Sequence, residues 1–159
     1  MKKILVILLA FCGVQIAASA QNNTSLGIRL GAGTEFGGEL ILGKCYGNHT
    51  RLDFGYGIGL YNRNDAADFV TTINQFYNWQ TTGRVKWFAG AGLLESVEFS
   101  DGGYSAFNFG VGVQTGVVFD LTAHFSLGLD VRETCKIAGK PTIANRWNTS
   151  GSLRLVYRF

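Results

Sequence analysis

Proline occurs once in this chain of 159 residues, at Pro141; histidine occurs twice, cysteine three times, and charged residues make up only 16%. Each shortage removes a class of protein. With one proline and no low-complexity tract there is no linker, and the chain reads as a single domain. Cys12, Cys45 and Cys135 form no CxxC and stand in no Cys/His ligand spacing, so neither a metal centre nor any other cofactor is expected. The formal charge is +3, and without Lys2 and Lys3 only 12 basic residues face 11 acidic ones. That balance is no basis for nucleic-acid binding. Beyond the N-terminus no apolar run is long enough to span a bilayer as a helix, so any membrane crossing must be made by strands.

The N-terminus is a separate matter. Lys2 and Lys3 precede the apolar stretch Ile4 to Phe11, and Ala18-Ser19-Ala20 offers small residues before Gln21. This pattern predicts a secretory signal peptide over residues 1–20, which leaves 21–159 as the mature domain. The apolar run is broken at Gly13 and Gln15 and is too short for a spanning helix. Phe11 is not the small residue that a lipoprotein signal places before its cysteine, so lipidation of Cys12 is not expected.

What the chain has in quantity is glycine, 22 residues, aromatics at 13%, and alternation. Leu153, Leu155, Tyr157 and Phe159 fall on one face of a strand, and Arg154, Val156 and Arg158 on the other. Leu52, Phe54, Tyr56, Ile58 and Leu60 alternate with Arg51, Asp53, Gly55, Gly57 and Gly59 in the same way. Eight such strands are read, at about 25–34, 37–46, 51–61, 70–80, 85–94, 106–120, 125–134 and 151–159. The fourth has no clear face. Tight connections at Gly47–Thr50, Thr81–Arg84 and Leu121–His124 alternate with longer ones at Asn62–Phe69, Glu95–Ser105 and Cys135–Trp147. The expected fold is all-β: an eight-stranded antiparallel up-and-down transmembrane β-barrel, with the short turns and both termini on the periplasmic side.

A water-soluble barrel would show the same alternation with its apolar face inward. The polar face decides between them. It carries glycine together with Arg, Asp and Glu. Glycine has no packing use on a solvated strand, whereas in a narrow lumen it makes room for long charged side chains. The other face is bulky, and its aromatics gather at strand ends. Tyr46, Phe54, Trp87, Phe119, Phe125, Tyr157 and Phe159 mark the periplasmic end, and Phe36, Tyr61 and Phe107 the other, as two interfacial girdles.

With its leader, its strands ending at Phe119 and Phe159 and its terminal Leu155-Val156-Tyr157-Arg158-Phe159, the chain resembles the small eight-stranded outer-membrane β-barrel family. That family includes OmpX-like proteins and the transmembrane domain of OmpA-like proteins, with many relatives in Bacteroidetes. The resemblance implies a cell outer-membrane location, contact with membrane lipid and lipopolysaccharide, and a terminal stretch that serves as a signal to the outer-membrane barrel assembly machinery. The family has adhesion, integrity and enzyme members, so it does not imply one function.

Three groups of residues are candidates for chemistry. Arg29, Glu39, Asp130, Arg132 and Arg154 are placed near mid-barrel, above a second layer of Arg51, Asp53, Lys86, Asp120 and Arg158. They form either an ion pathway or a salt-bridged plug, and the narrow lumen favours the plug. His124 and Ser126 form the sole His-x-Ser pair, and the small-barrel lipid A deacylases carry such a pair with a carboxylate, for which Glu133 stands as a candidate. Against this, the pair lies at a periplasmic turn and faces the lumen. His49, also in a turn, is read as solvated. The loops supply Asp65, Asp68, Glu95, Glu98 and Asp101 as oxygen donors for calcium or for cations on lipopolysaccharide, although without EF-hand spacing solvated charge is the simpler reading. Lys136, Lys140 and Arg146 are placed to meet lipopolysaccharide phosphates, with Trp147 at the interface. Cys45 and Cys135 fall near opposite ends and are expected to be free thiols.

The first functional expectation is a non-enzymatic barrel for envelope integrity or surface interaction through its extracellular loops. The second is an outer-leaflet lipid-modifying enzyme like the lipid A deacylases. The third is passage of small solutes. The ligand of the loops is not specified by the sequence.

Overall fold

In a computed structural model of the chain, residues 23–34, 36–63, 66–99, 105–139 and 146–159 are described. The expected signal peptide at 1–20 lies outside them, as do Asp65, Asp101 and Lys140. Eight strands follow in order: β1 (Thr24–Gly33), β2 (Phe36–Tyr46), β3 (Thr50–Arg63), β4 (Ala66–Gln80), β5 (Val85–Phe99), β6 (Ser105–Asp120), β7 (Phe125–Gly139) and β8 (Trp147–Arg158). Each pairs antiparallel with its chain neighbours, and β1 pairs with β8, so the sheet closes on itself and no edge is left open.

The alternation dictates the two faces. Leu26, Ile28, Leu30, Leu40, Leu153 and Leu155 are exposed on the outside, while Arg29, Glu39, Arg51, Asp53, Asp130, Arg132 and Arg154 are buried inside. This is the inverse of a water-soluble barrel. An apolar wall around the whole circumference is stable in hydrocarbon and not in water. The tight turns at residues 47–49, 81–84 and 121–124 gather at one end, called here the turn end, and the remaining connections at the other, the loop end. Gly47 (φ +68°) and Gly83 (φ +111°) supply the left-handed backbone that two of these turns require.

Inside, glycine makes space for charge. A β-carbon at Gly43 would lie 2.6 Å from Arg51 Nη2, and one at Gly55 would overlap the Glu39 carboxylate. The small residue and the large charged one are thus a single packing unit spread over two strands.

The strands run further toward the loop end than the hydropathy pattern suggests. β4 begins at Ala66 rather than near Val70, β5 continues to Phe99, β7 to Gly139, and β8 begins at Trp147. The connections read as loops at Glu95–Ser105 and Cys135–Trp147 are in large part strand. The physical reason is that a polar lumen lets polar residues continue the alternation. Ser96 and Glu98 point inward while Val97 and Phe99 point outward, so polarity does not mark the end of a strand here. A bulge opposite Phe109 and Gly110 shifts the β6–β7 register so that Gly110 faces Lys136.

Candidate functional site

The register brings charges of both signs to mid-barrel. Arg29 on β1 stands opposite Glu39 on β2 and Arg154 on β8. The two arginines are separated by Asp130, which takes Arg29 Nε at 2.9 Å and Arg154 Nε at 3.3 Å. From there the signs alternate in both directions. Arg154 Nη1 reaches Asp53 at 2.9 Å, and Asp53 also takes Arg51. Arg29 lies 3.6 Å from Glu39, which takes Arg132 Nη1 at 2.8 Å.

Neutral amides close the remaining gap. Arg132 donates twice to Gln114 Oε1, at 3.2 and 3.1 Å; Gln114 donates to Asn78 Oδ1 at 2.6 Å; Asn78 donates to Asp53 at 3.2 Å. The result is a closed ring of polar contacts: Arg132, Glu39, Arg29, Asp130, Arg154, Asp53, Asn78, Gln114 and back to Arg132. Ser152 adds a hydrogen bond to Asp130 at 2.6 Å, and Asn74 one to Glu39 at 3.1 Å. Two inward aromatics complete the filling. The guanidinium of Arg132 lies 4.5 Å from the Phe76 ring centre and that of Arg154 lies 5.0 Å from Phe88. Opposite charges meeting across a desolvated lumen hold one another in place, and removing one leaves a buried ion uncompensated.

A second cluster sits at the turn end. Asp120 takes Lys86 at 2.7 Å and also Arg158, and Ser126 donates to it at 2.9 Å. A third sits at the loop end, where Lys136 pairs with Glu98 among the buried Ser96, Asn108 and Thr134. Between the ring and this third cluster is a cavity of about 70 Å³ bordered by Arg29, Glu39, Asn74, Ser96 and Arg132. That is room for about two waters, taking about 30 Å³ for each.

The third cluster corrects two expectations. Glu98 is not a loop oxygen donor, and Lys136 does not meet lipopolysaccharide phosphates; both are lumen residues, paired with each other. Of that basic group, Arg146 remains at the end of the last connection, where it donates to the Lys136 carbonyl at 3.0 Å. Trp147 beside it faces outward and is 59% exposed. Among the described residues no three of His, Cys, Asp and Glu come together as a metal site. Cys45 and Cys135 are both free.

The His124, Ser126 and Glu133 grouping is not assembled. Ser126 is fully buried in the lumen, tied to Asp120 and accepting from Arg158 at 2.7 Å. His124 lies in the turn, exposed, and does not face the lumen. Its Nδ1 donates to the Arg158 carbonyl at 3.0 Å, and its ring stacks on Tyr157. The two-residue rule for a shared face fails because His124 precedes the first residue of β7. Glu133 lies eight residues along β7 from Phe125, on the outer face and toward the loop end, where Thr149 donates to it at 2.8 Å. His49, the other turn histidine, stacks on Trp79.

The aromatics Tyr46, Phe54, Trp87, Phe119, Phe125, Tyr157 and Phe159 all lie on the outer face toward the turn end, joined by Trp79; Phe107, Phe36, Phe99 and Trp147 lie outward toward the loop end. Tyr157 is packed between Phe125 at 5.0 Å and Phe159 at 5.2 Å. Trp79 was missed because the alternation of β4 is blurred by Thr71, Thr72 and Gln75. Phe76 was missed as a lumen residue for the same reason.

No protein-family model matches the chain, and no curated protein does either. Solved structures do. Neisserial surface protein A is 19% identical, with a TM-score of 0.68 over 86% of this chain and 94% of that one. The outer-membrane enzyme PagL is 17% identical, with a TM-score of 0.53 over 85% of this chain and 99% of that one. Ail, the attachment invasion locus protein of Yersinia pestis, is 12% identical, with a TM-score of 0.53 over 87% of this chain and 99% of that one. A surface protein, an enzyme and an attachment protein thus share one closed architecture, and this chain has that same fold, the small eight-stranded outer-membrane β-barrel.

Proposed function

We propose that the protein is a non-enzymatic barrel of the outer membrane that serves envelope integrity or surface interaction through its wall and its loop end. On this reading the turn end is periplasmic, the leader is removed on export, and the terminal aromatic strand addresses the chain to the assembly machinery. The ring of polar contacts across the lumen carries the proposal. It commits Arg29, Glu39, Asp53, Asp130, Arg132 and Arg154 to holding the barrel shut, and at the turn end His124 bonds the Arg158 carbonyl while Ser126 bonds the Asp120 carboxylate, not each other.

Two measurements test it. In planar bilayers the folded protein gives negligible single-channel conductance, because the lumen is filled by side chains. Reproducible open-channel steps that change with Glu39→Gln or Asp130→Asn would replace the plug with a solute path. In a lipid A-producing host, overexpression leaves the acyl composition of lipid A unchanged by mass spectrometry. Acyl loss with the wild type and none with Ser126→Ala would establish the deacylase reading instead.

A further inference from the structure

The charges that meet in mid-barrel do not sum to zero. Four guanidiniums, those of Arg29, Arg51, Arg132 and Arg154, share three carboxylates, those of Glu39, Asp53 and Asp130. Lys136 and Glu98 beyond them are matched one to one. The surplus of one positive charge shows as donors without acceptors. Arg51 Nη2 and Arg154 Nη2 are buried and make no hydrogen bond. Arg29 donates from Nε to Asp130 and from Nη2 to Ser150, while its Nη1 stands 3.6 Å from Glu39, too far for a hydrogen bond.

Of the four, Arg29 and Arg132 border the cavity of about 70 Å³. Its charged lining is three cations, Arg29, Arg132 and Lys136, against the one carboxylate of Glu39; Glu98, which holds Lys136, does not border it. A β-carbon at Gly31 would lie 3.5 Å from Arg29 Nη1, so that nitrogen is turned toward the loop end, the side on which the cavity lies. Ser96 also borders it, only 2% exposed, and its hydroxyl has no partner. The same holds for the carbonyl oxygen of buried Asn74. Water satisfies such donors but brings no charge, and in a desolvated lumen a surplus ion is costly until it is neutralised.

We propose that this cavity binds one small monovalent anion, chloride by its size and charge, held by Arg29 Nη1 and the Ser96 hydroxyl, with one water beside it on Asn74 Oδ1. A chloride is close to a water in size, so the pair fills a space that takes about two waters. One negative charge cancels the surplus, whereas sulfate or a phosphate dianion is larger and overshoots it. The inference goes beyond the function proposed above, which requires only that the lumen be closed. The ring is the floor of the cavity, so the ion binds without passing through.

The test is the stability of the folded chain, without its leader, in vesicles, read by urea titration as chloride replaces gluconate at constant ionic strength. Gluconate carries the same charge and is too large for the cavity. For one site the folding equilibrium constant rises about tenfold for each tenfold rise in chloride above the dissociation constant, followed from about 10 mM to about 1 M. Bromide acts as chloride does. Ser96→Asp puts a fixed carboxylate where the ion sits, and the dependence on chloride disappears. Crystals of the wild type grown in bromide give an anomalous peak within hydrogen-bond reach of Arg29 and Ser96. Heat-modifiable migration on SDS gels verifies that the variant is a closed barrel; where it does not close, the bromide peak decides alone. A folding constant indifferent to chloride, a dependence kept by closed Ser96→Asp, or a cavity without bromide would overturn the proposal.

Discussion

Inside the barrel, Glu39 has Arg132 at 2.8 Å, Asn74 at 3.1 Å and Arg29 at 3.6 Å; on the wall, Leu129, Val131 and Leu153 face outward with more than 45% of their surface exposed. The two faces belong to the same strands and alternate residue by residue. They obey different rules. A lumen residue is specified by individual partners on other strands, because an unpaired charge there has at most the little water of a small cavity to turn to. A wall residue is specified by class, because lipid accommodates any apolar shape. Tolerance to substitution should therefore alternate along each strand with a period of two.

The largest break in that contrast comes from Glu39→Ala. It takes the paired carboxylate from Arg132 and leaves Arg29 with Asp130 alone, and stability should fall by about 3–5 kcal/mol. Urea titration of the protein folded in vesicles measures this, and a loss below about 1 kcal/mol would mean that the ring is not what holds the lumen. Next is Gly55→Ala. The added β-carbon meets the Glu39 carboxylate and should cost about 1–3 kcal/mol by overpacking. An unchanged unfolding midpoint would show that Glu39 has room to move.

Phe159→Ala removes the edge-on contact with Tyr157 and should cost about 0.5–1.5 kcal/mol. It should also lower the amount of folded protein recovered from the outer membrane, which fractionation and immunoblotting quantify; undiminished recovery would sever the terminal aromatic from assembly. Leu129→Ile, a swap within class on the lipid face, should stay within about 0.5 kcal/mol of the wild type. A larger change would mean that this stretch of wall packs against something more specific than lipid.

How far the sequence could be read follows from the same contrast. Alternation located all eight strands in chain order and put Arg29, Glu39, Arg51, Asp53, Lys86, Asp120, Asp130, Arg132, Arg154 and Arg158 on one face, because in an inside-out barrel each apolar outward residue certifies its polar neighbour. Which of those ten touch was not legible. Asp130 between Arg29 and Arg154 depends on the register of three strands, and register leaves no mark in a single strand. The loop-end cluster was lost for another reason. Glu98 and Lys136 sit in stretches whose inward residues are polar, and that polarity read as loop although Val97 and Phe99 kept the alternation going. His124 was misplaced because alternation was carried one residue beyond the strand that justifies it.

The pairing of β1 with β8 joins Ser25 to Arg158 and Arg29 to Arg154, contacts that span nearly the whole described chain. No ribosome can deliver such a contact early. Until the last dozen residues are synthesised, the first strand has no partner on one side, and its open backbone is free to pair with anything else. A barrel built this way can form its neighbouring hairpins in any order, but it closes only in one late step, when the last strand meets the first.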